Sequence, residues 1–420
     1  MTLHVYQIGV GDFGRYGFEK LIEIHRNFDR VDVKLEAFCD RDFDNAEKAR
    51  KFAERNGIDV EEFTDVKEMY EKASGHEGKV MIYDAGPTED HADNVYRSLR
   101  HGFFHLAEKP PSMTRKEHIK EKKLAEKENV MWKADFIERE SPVVKKALEL
   151  LEGKNIDRIE VFRESSVGIE KMLDPVARAG VKGGDILDKM SHEVYVLDML
   201  EASGIEEKPE IQDAESKYFL PKKPGSEKLM AIHGGYTEEI NEETATAMTS
   251  AAFNAEGTDI RFNSSWLGPG RESRINAQKV RKITGHNLIN KRFRELQEKA
   301  YPDEESRYFI VRGDRDLAGD MLNKKLFDLD IGEEVDLDYY LHDQLYRVIE
   351  KAVLQAADKE SYSVNDKETD IFMNMLFDVR DKAVKGDFLE ERRKSLEKVD
   401  NMIVEDRKVL ETEEHESLAG

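Results

Sequence analysis

The turn Gly9-Val10-Gly11-Asp12-Phe13-Gly14 constrains this chain more than any other feature. It stands between a short apolar run, His4–Val10, and a segment with helical spacing, Phe18–Arg26. G-x-G-x-x-G in that setting has a steric reason. Gly9 permits a tight turn, Gly11 lets backbone approach a pyrophosphate, and Gly14 lets the helix pack close to the strand. The helix start, with Asp12 and Phe13, adds free N–H groups and the positive end of the helix dipole for phosphates. A plain glycine turn is the simpler reading of such a string. The strand before it, the helix after it and an acid closing the next strand favour a dinucleotide site.

That acid is Asp40, at the end of Ala37-Phe38-Cys39-Asp40. A carboxylate there accepts both ribose hydroxyls of an adenosine and repels the extra phosphate of NADP. Arg41 follows and can pair with a 2′-phosphate. The sequence therefore leans to NAD and leaves NADP open; the alternative for Asp40 is a loop or cap acid.

Strand-like runs alternate with helical ones through the first 139 residues: His4–Val10, Val31–Asp40, Val80–Ala85, Phe103–Ala107 and Val130–Ile137 are separated by amphipathic segments. This alternation predicts right-handed crossovers and a parallel, doubly wound Rossmann sheet over residues 1–139. The pattern then changes. Ser141-Pro142 opens a helix, Asp157–Ser166 reads as a strand, and Gly183–Glu201 reads as one helix entered through two glycines. From about Glu210 to Asp330 strands dominate, at Lys217–Leu220, Leu229–Ile232, Thr244–Asn254, Thr258–Trp266 and Tyr308–Arg312. Asp338–Lys359 and Phe372–Asp406 read as helices. Residues 140–420 are thus expected to form an α+β substrate-binding and oligomerisation domain with a largely antiparallel, open sheet.

Composition excludes several alternatives. A net charge of −23 argues against a nucleic-acid partner, which requires a basic surface. It fits an acidic cytosolic protein, or adaptation to a saline cytoplasm, against which the many lysines weigh. No run is long and apolar enough for a membrane span. The N-terminus carries no leader-like pattern, so a cytoplasmic location is expected. The single cysteine, Cys39, cannot form an internal disulfide, and no Cys/His spacing suggests a metal site.

Four further stretches carry a family resemblance. Tyr83-Asp84-Ala85-Gly86-Pro87-Thr88-Glu89-Asp90-His91, then Gly102-Phe103-Phe104-His105-Leu106-Ala107-Glu108-Lys109-Pro110, resemble the fourth and fifth strands of the Gfo/Idh/MocA oxidoreductases, for which Glu-Lys-Pro is a hallmark. Gly183-Gly184-Asp185-Ile186-Leu187-Asp188-Lys189-Met190-Ser191-His192 resembles the second hallmark, a glycine pair followed by D-x-x-x-H. Phe136-Ile137-Glu138-Arg139-Glu140-Ser141-Pro142 falls where that family crosses between domains. The likeness is good to about residue 200 and architectural beyond it. Met190 departs from the family, which commonly has glycine there; a core methionine is the plain reading.

The resemblance implies Lys109, Asp188 and His192 as the catalytic trio, with roles that vary between members. It places Gly86, Pro87, Thr88 and His91 on the nicotinamide side and Glu108 beside the cofactor. It also implies subunit association, as a dimer or tetramer, through the second sheet. The residues support the trio on their own chemistry. Asp188 and His192 are four apart on an expected helix, one turn apart on one face, where a carboxylate favours the protonated imidazole and orients it. His192 can take a hydroxyl proton, and Lys109 can donate to the substrate oxygen. A surface Asp/His pair and a simple Lys-Pro loop are the plain alternatives. Glu138, Lys182 and Asp185 stand where a substrate would be touched.

The expected activity is hydride transfer between NAD or NADP and a sugar, cyclitol or related polyhydroxylated substrate. The alternatives are a glycosidase- or epimerase-like enzyme that retains its NAD and oxidises only transiently, or a non-catalytic nucleotide sensor.

Overall fold

In the computed structural model, residues 2–164, 184–218, 246–265, 306–337, 344–357 and 367–387 are described. The first sheet has six strands: β1 (Thr2–Ile8), β2 (Asp32–Cys39), β3 (Glu61–Phe63), β4 (Lys79–Asp84), β5 (Phe104–Glu108) and β6 (Trp132–Asp135). Their order is β3-β2-β1-β4-β5-β6, and every pairing is parallel. The strand β1 shows why the run is apolar on both sides. Leu3 and Val5 enter one core, while Tyr6 and Ile8 enter another on the opposite face. The helices α1 (Asp12–Asn27), α2 (Phe43–Arg55), α3 (Val66–Ala73), α4 (His91–His101) and α5 (Arg115–Glu128) connect these strands. Both β3 and α3 are additions to the elements read from sequence; β3 has three residues, too few for a periodic signal.

The doubly wound sheet expected for the N-terminal region is therefore present, and its strand order reverses between β1 and β4. At that reversal the connections leave to opposite faces and open a crevice at the C-terminal strand ends, the usual ligand position in such sheets. The glycine turn lies there.

The second sheet has nine strands, in the order β14-β13-β12-β11-β7-β10-β9-β8-β15. These are β7 (Ile156–Glu164), β8 (Glu210–Tyr218), β9 (Thr246–Ala255), β10 (Thr258–Ser265), β11 (Ser306–Gly313), β12 (Leu317–Asp320), β13 (Lys325–Asp328), β14 (Glu333–Val335) and β15 (Val384–Asp387). It is mostly antiparallel, as expected, with parallel pairs β7–β10 and β8–β15. Its core is closed by α6 (Pro142–Leu151), α7 (Gly184–Asp188), α8 (Tyr195–Ala202) and α10 (Lys367–Lys382). Met190 is buried in that core.

Two sequence expectations need correction. Gly183–Glu201 is not one helix: α7 ends at Asp188, a 3-10 turn spans Met190–Val194 with a non-helical Glu193, and α8 follows. Nor does helix run on from Phe372; α10 ends at Lys382 and β15 pairs with β8. Leu229–Ile232 lies outside the described residues. The helix α9 (Gln344–Ala357) returns to the first sheet, where Leu345, Ile349 and Val353 share a core with Leu3 and Val5. The two sheets are tied by Arg115 to Asp378 at 2.8 Å and His118 to Asp370 at 3.0 Å, from α5 to α10. No described helix is long and apolar enough to cross a membrane.

Candidate active site

The glycine turn is shaped by contacts that a side chain would destroy. Gly9 has φ +77°, and a Cβ on it would lie 2.4 Å from the Ala85 carbonyl oxygen. A Cβ on Gly14 would lie 2.3 Å from the Gly9 oxygen. The Gln7 amide donates to both the Gly9 and Gly14 carbonyls, at 2.8 and 2.6 Å, and so fixes the turn from below. Gly11 differs: a Cβ there would meet only Asn45 Nδ2, at 3.6 Å, so its backbone faces open space. The helix α1 starts there without a side-chain cap, and Asp12 and Phe13 are exposed. Open backbone, unclaimed helix N–H groups and a positive dipole end fit a dinucleotide pyrophosphate.

Asp40 closes β2 beside this turn. Its two oxygens accept from the Val10 and Asp42 backbone N–H groups, each at 2.8 Å. A carboxylate has about four lone-pair directions, so the ribose side stays available. Arg41 pairs with Asp90 at 2.9 Å. A 2′-phosphate would compete with that carboxylate for the guanidinium.

On the other side of the crevice, Pro87 is exposed and Gly86 and Thr88 are partly exposed. His91 is not part of that wall. It is 1 % exposed, and its ring nitrogens face the Gly86 and Pro110 carbonyls at 3.0 and 3.1 Å. It joins the loop after β4 to the loop after β5. Glu108 is held from within the protein. Tyr83 donates to its Oε1 at 3.0 Å and stands 3.4 Å from Asp135, the residue paired with Glu108 across β5 and β6. Burial pushes both carboxyls upward; the Glu108 charge raises Asp135 further, while the hydrogen bond from Asp135 lowers Glu108.

Lys109 lies at the end of β5 with its Nζ 3.1 Å from both Oδ1 and the backbone oxygen of Asp188. Asp188 is the last residue of α7, and the Ser191 hydroxyl also donates to its carbonyl, at 3.1 Å. His192 follows in the 3-10 turn. Its Nδ1 is 2.7 Å from Glu138 Oε1, though off the line of an in-plane hydrogen bond. The chain bend after α7 thus pairs Asp188 with Lys109 and His192 with Glu138, in place of the one-turn helical stack expected from spacing. The side chains of Lys109, Asp188 and His192 remain 17, 22 and 13 % exposed.

Behind the imidazole, Arg163 lies 3.1 Å from Glu138 and 3.3 Å from Glu193, all three buried. Glu138 is held below the usual carboxylate range by the positive charges beside it, of which Arg163 is the one that persists at neutral pH, against the cost of its burial. Burial and the cations Arg163 and Lys109 push His192 down to about 3, so the imidazole is neutral at pH 7. The expected protonated histidine is overturned because desolvation and two cations outweigh one carboxylate.

Asp185 was expected at the substrate. It is fully buried, and its carboxylate accepts from Thr249 and Ser264 hydroxyls at 2.9 and 2.7 Å, which ties α7 to the second sheet. Glu138 is 5 % exposed and faces the His192 ring. Lys182 lies outside the described residues. Sequence reasoning missed Arg163, Glu193, Tyr83 and Asp135. No motif marks them; a buried-strand Arg in Val161-Phe162-Arg163 was the one available signal.

Comparison with known proteins agrees with this architecture. No curated protein sequence matches the chain significantly. UDP-N-acetylglucosamine 3-dehydrogenase GnnA from Acidithiobacillus ferrooxidans shares 17% identity with TM-score 0.59, over 91% of this chain and 98% of that one. KijD10, a 3-ketoreductase from Actinomadura kijaniata solved with TDP-benzene and NADP, shares 15% identity with TM-score 0.63, over 92% and 100%. A levoglucosan dehydrogenase solved with NADH and levoglucosan shares 13% identity with TM-score 0.62, over 91% and 96%. At these identities the likeness is one of fold. Residues 3–136 match the oxidoreductase family with an NAD-binding Rossmann fold. Over those residues, the N-terminal part of the chain is an NAD-binding Rossmann domain of the Gfo/Idh/MocA type.

Proposed function

We propose that this protein is a dehydrogenase or ketoreductase acting on a CH–OH group of a sugar, cyclitol or related polyhydroxylated substrate. The observation that carries the reading is the convergence of a cation, Lys109 held by Asp188, and a neutral imidazole, His192 held by Glu138. Both stand at the domain junction next to the β5 end, on the sheet that carries the glycine turn. Two of the similar structures are a UDP-N-acetylglucosamine 3-dehydrogenase and a levoglucosan dehydrogenase, which supports the substrate class.

Gly9, Gly11, Gly14 and the start of α1 would hold the pyrophosphate, Asp40 the adenosine ribose, and Gly86, Pro87, Thr88 and Glu108 the nicotinamide side. A bound nicotinamide supplies the hydride acceptor or donor. Lys109 donates to the reacting oxygen and stabilises negative charge as it develops there. Glu138 favours the His192 tautomer with its proton on Nδ1, leaving Nε2 as an acceptor for the hydroxyl proton. An imidazole pushed down to about 3 is a weak base, but a carbinol proton becomes strongly acidic as its carbon is oxidised. In the reducing direction the same groups return the proton. The ribose carboxylate favours NAD over NADP.

The test is a panel of aldoses, polyols, inositols, sugar acids and nucleotide sugars, followed by NADH or NADPH absorbance. The reading expects reversible absorbance change with one substrate class, lost in Lys109→Ala. Tight cofactor binding with no redox change on any member would sink it. Turnover without net NADH release would replace it by transient oxidation.

A further inference from the structure

We propose that His4, Glu36 and His76 form a binding site for one zinc-type divalent ion, remote from the glycine turn. The three residues come from β1, β2 and the connection between α3 and β4, and one ligand atom from each lies within 4.8 Å of the others. His4 Nδ1 is 2.6 Å from Glu36 Oε1, and Tyr6 Oη is 2.6 Å from His76 Nε2.

Two backbone features assemble the cluster. The pairing of β1 with β2 steps from Val5–Leu35 to Tyr6–Ala37, which leaves Glu36 as the extra residue of a bulge. A bulge re-aims a side chain, here toward the side that carries His4 and Tyr6. Gly78 supplies room, since a Cβ on it would lie 3.0 Å from the His4 ring. Bulge and glycine thus both serve a cluster that the Rossmann sheet does not itself require.

Two imidazole nitrogens and one carboxylate oxygen are a borderline donor set that suits zinc and leaves a fourth position for water. Magnesium and calcium prefer oxygen donors. The two rings are stacked, with centroids 3.9 Å apart and planes 17° apart, so their lone pairs now run side by side. Convergence on one ion requires His76 to turn off Tyr6. Its place in a connection lets the side chain do so without breaking a strand or helix hydrogen bond. The Tyr6 phenol is then free to bond the metal's water, and Lys34, 3.0 Å from Glu36 Oε2, yields to the stronger cation. His4 is five residues from Gly9, about 16 Å along a strand, so the ion would clamp the sheet and not enter catalysis.

The test uses the full chain, stripped with chelator and titrated with Zn²⁺ by calorimetry and with Co²⁺ by visible absorbance. The expected result is one ion per chain at micromolar affinity or tighter, tetrahedral cobalt bands, and a rise in Tm on loading. His76→Gln retains a polar side chain for Tyr6 and should weaken binding at least tenfold; Glu36→Gln should do likewise. NADH affinity should be the same with and without zinc. Equal zinc uptake by the parent chain and both variants, or no uptake by the parent, would overturn the site. Metal-free melts of the variants, matching the parent's, exclude misfolding as the cause of any loss.

Discussion

Lys109 Nζ lies 3.1 Å from both the carboxylate and the backbone oxygen of Asp188, a residue 79 positions away on the other side of the domain junction. The pair fixes the ammonium at the β5 end and leaves one donor direction for a substrate oxygen. Lys109→Ala should lower kcat/KM by at least ~100-fold with little change in the cofactor Kd. Asp188→Asn keeps a hydrogen-bond acceptor but removes the charge, so its loss should be smaller. Steady-state kinetics beside fluorescence titration of NADH separates the two effects. Equal losses in turnover and cofactor affinity would make Lys109 a cofactor ligand only.

Glu138 neutralises Arg163 and steers His192, so its removal has two separable results. Glu138→Ala leaves Glu193 as the carboxylate facing the buried Arg163 guanidinium and should cost about 3–5 kcal/mol of stability. Glu138→Gln retains shape and should cost less stability. It still removes the charge that fixes the imidazole tautomer, so kcat should fall with KM little changed. Thermal melts and kcat on the same preparations check both. An unchanged kcat in the folded Gln variant would remove Glu138 from the positioning set.

On the proposed reading, cofactor choice rests on competition for Arg41. Asp90 engages its guanidinium at 2.9 Å on an exposed surface, and Asp40 repels a 2′-phosphate. Asp90→Asn frees the guanidinium and should move the ratio of NADP to NAD affinity upward by up to ~10-fold, equivalent to about 1.4 kcal/mol. Kd values for both cofactors at one ionic strength provide the check. An unaltered ratio would mean that Arg41 does not reach the ribose.

The parts of this protein legible in its sequence are those that local chain geometry dictates. The turn from Gly9 to Gly14, the alternating strands and Lys109 after its strand all follow from short-range sterics and periodicity. The partners of the site residues do not. Asp188 and His192 read as a stacked pair on helical spacing, while the helix ends at Asp188 and gives way to a 3-10 turn from Met190, which sends them to different partners. Arg163 and Glu138 meet across 25 positions, and His4 and Glu36 across 32, so no spacing rule marks either contact. Asp185 misled for a related reason: beside a hallmark glycine, it serves packing by accepting from two strands.

One buried acid contributes a pH-dependent part of the stability. Glu121, on the core face of α5, accepts from the Ser112 hydroxyl, and burial raises its carboxyl to about 8. In the unfolded chain the group titrates near its ordinary value of 4.5. Between these values the folded state holds a proton that the unfolded state has lost. The stabilisation is therefore full below about 4.5 and declines as pH rises toward about 8, by up to about 1.4 kcal/mol per pH unit. Glu121→Gln cannot ionise and keeps an acceptor for Ser112. Its melting temperature should exceed the parent's at pH 8, match it near pH 4.5, and vary less between. Parallel melting curves for the two proteins across that range would show that Glu121 is already ionised in the fold.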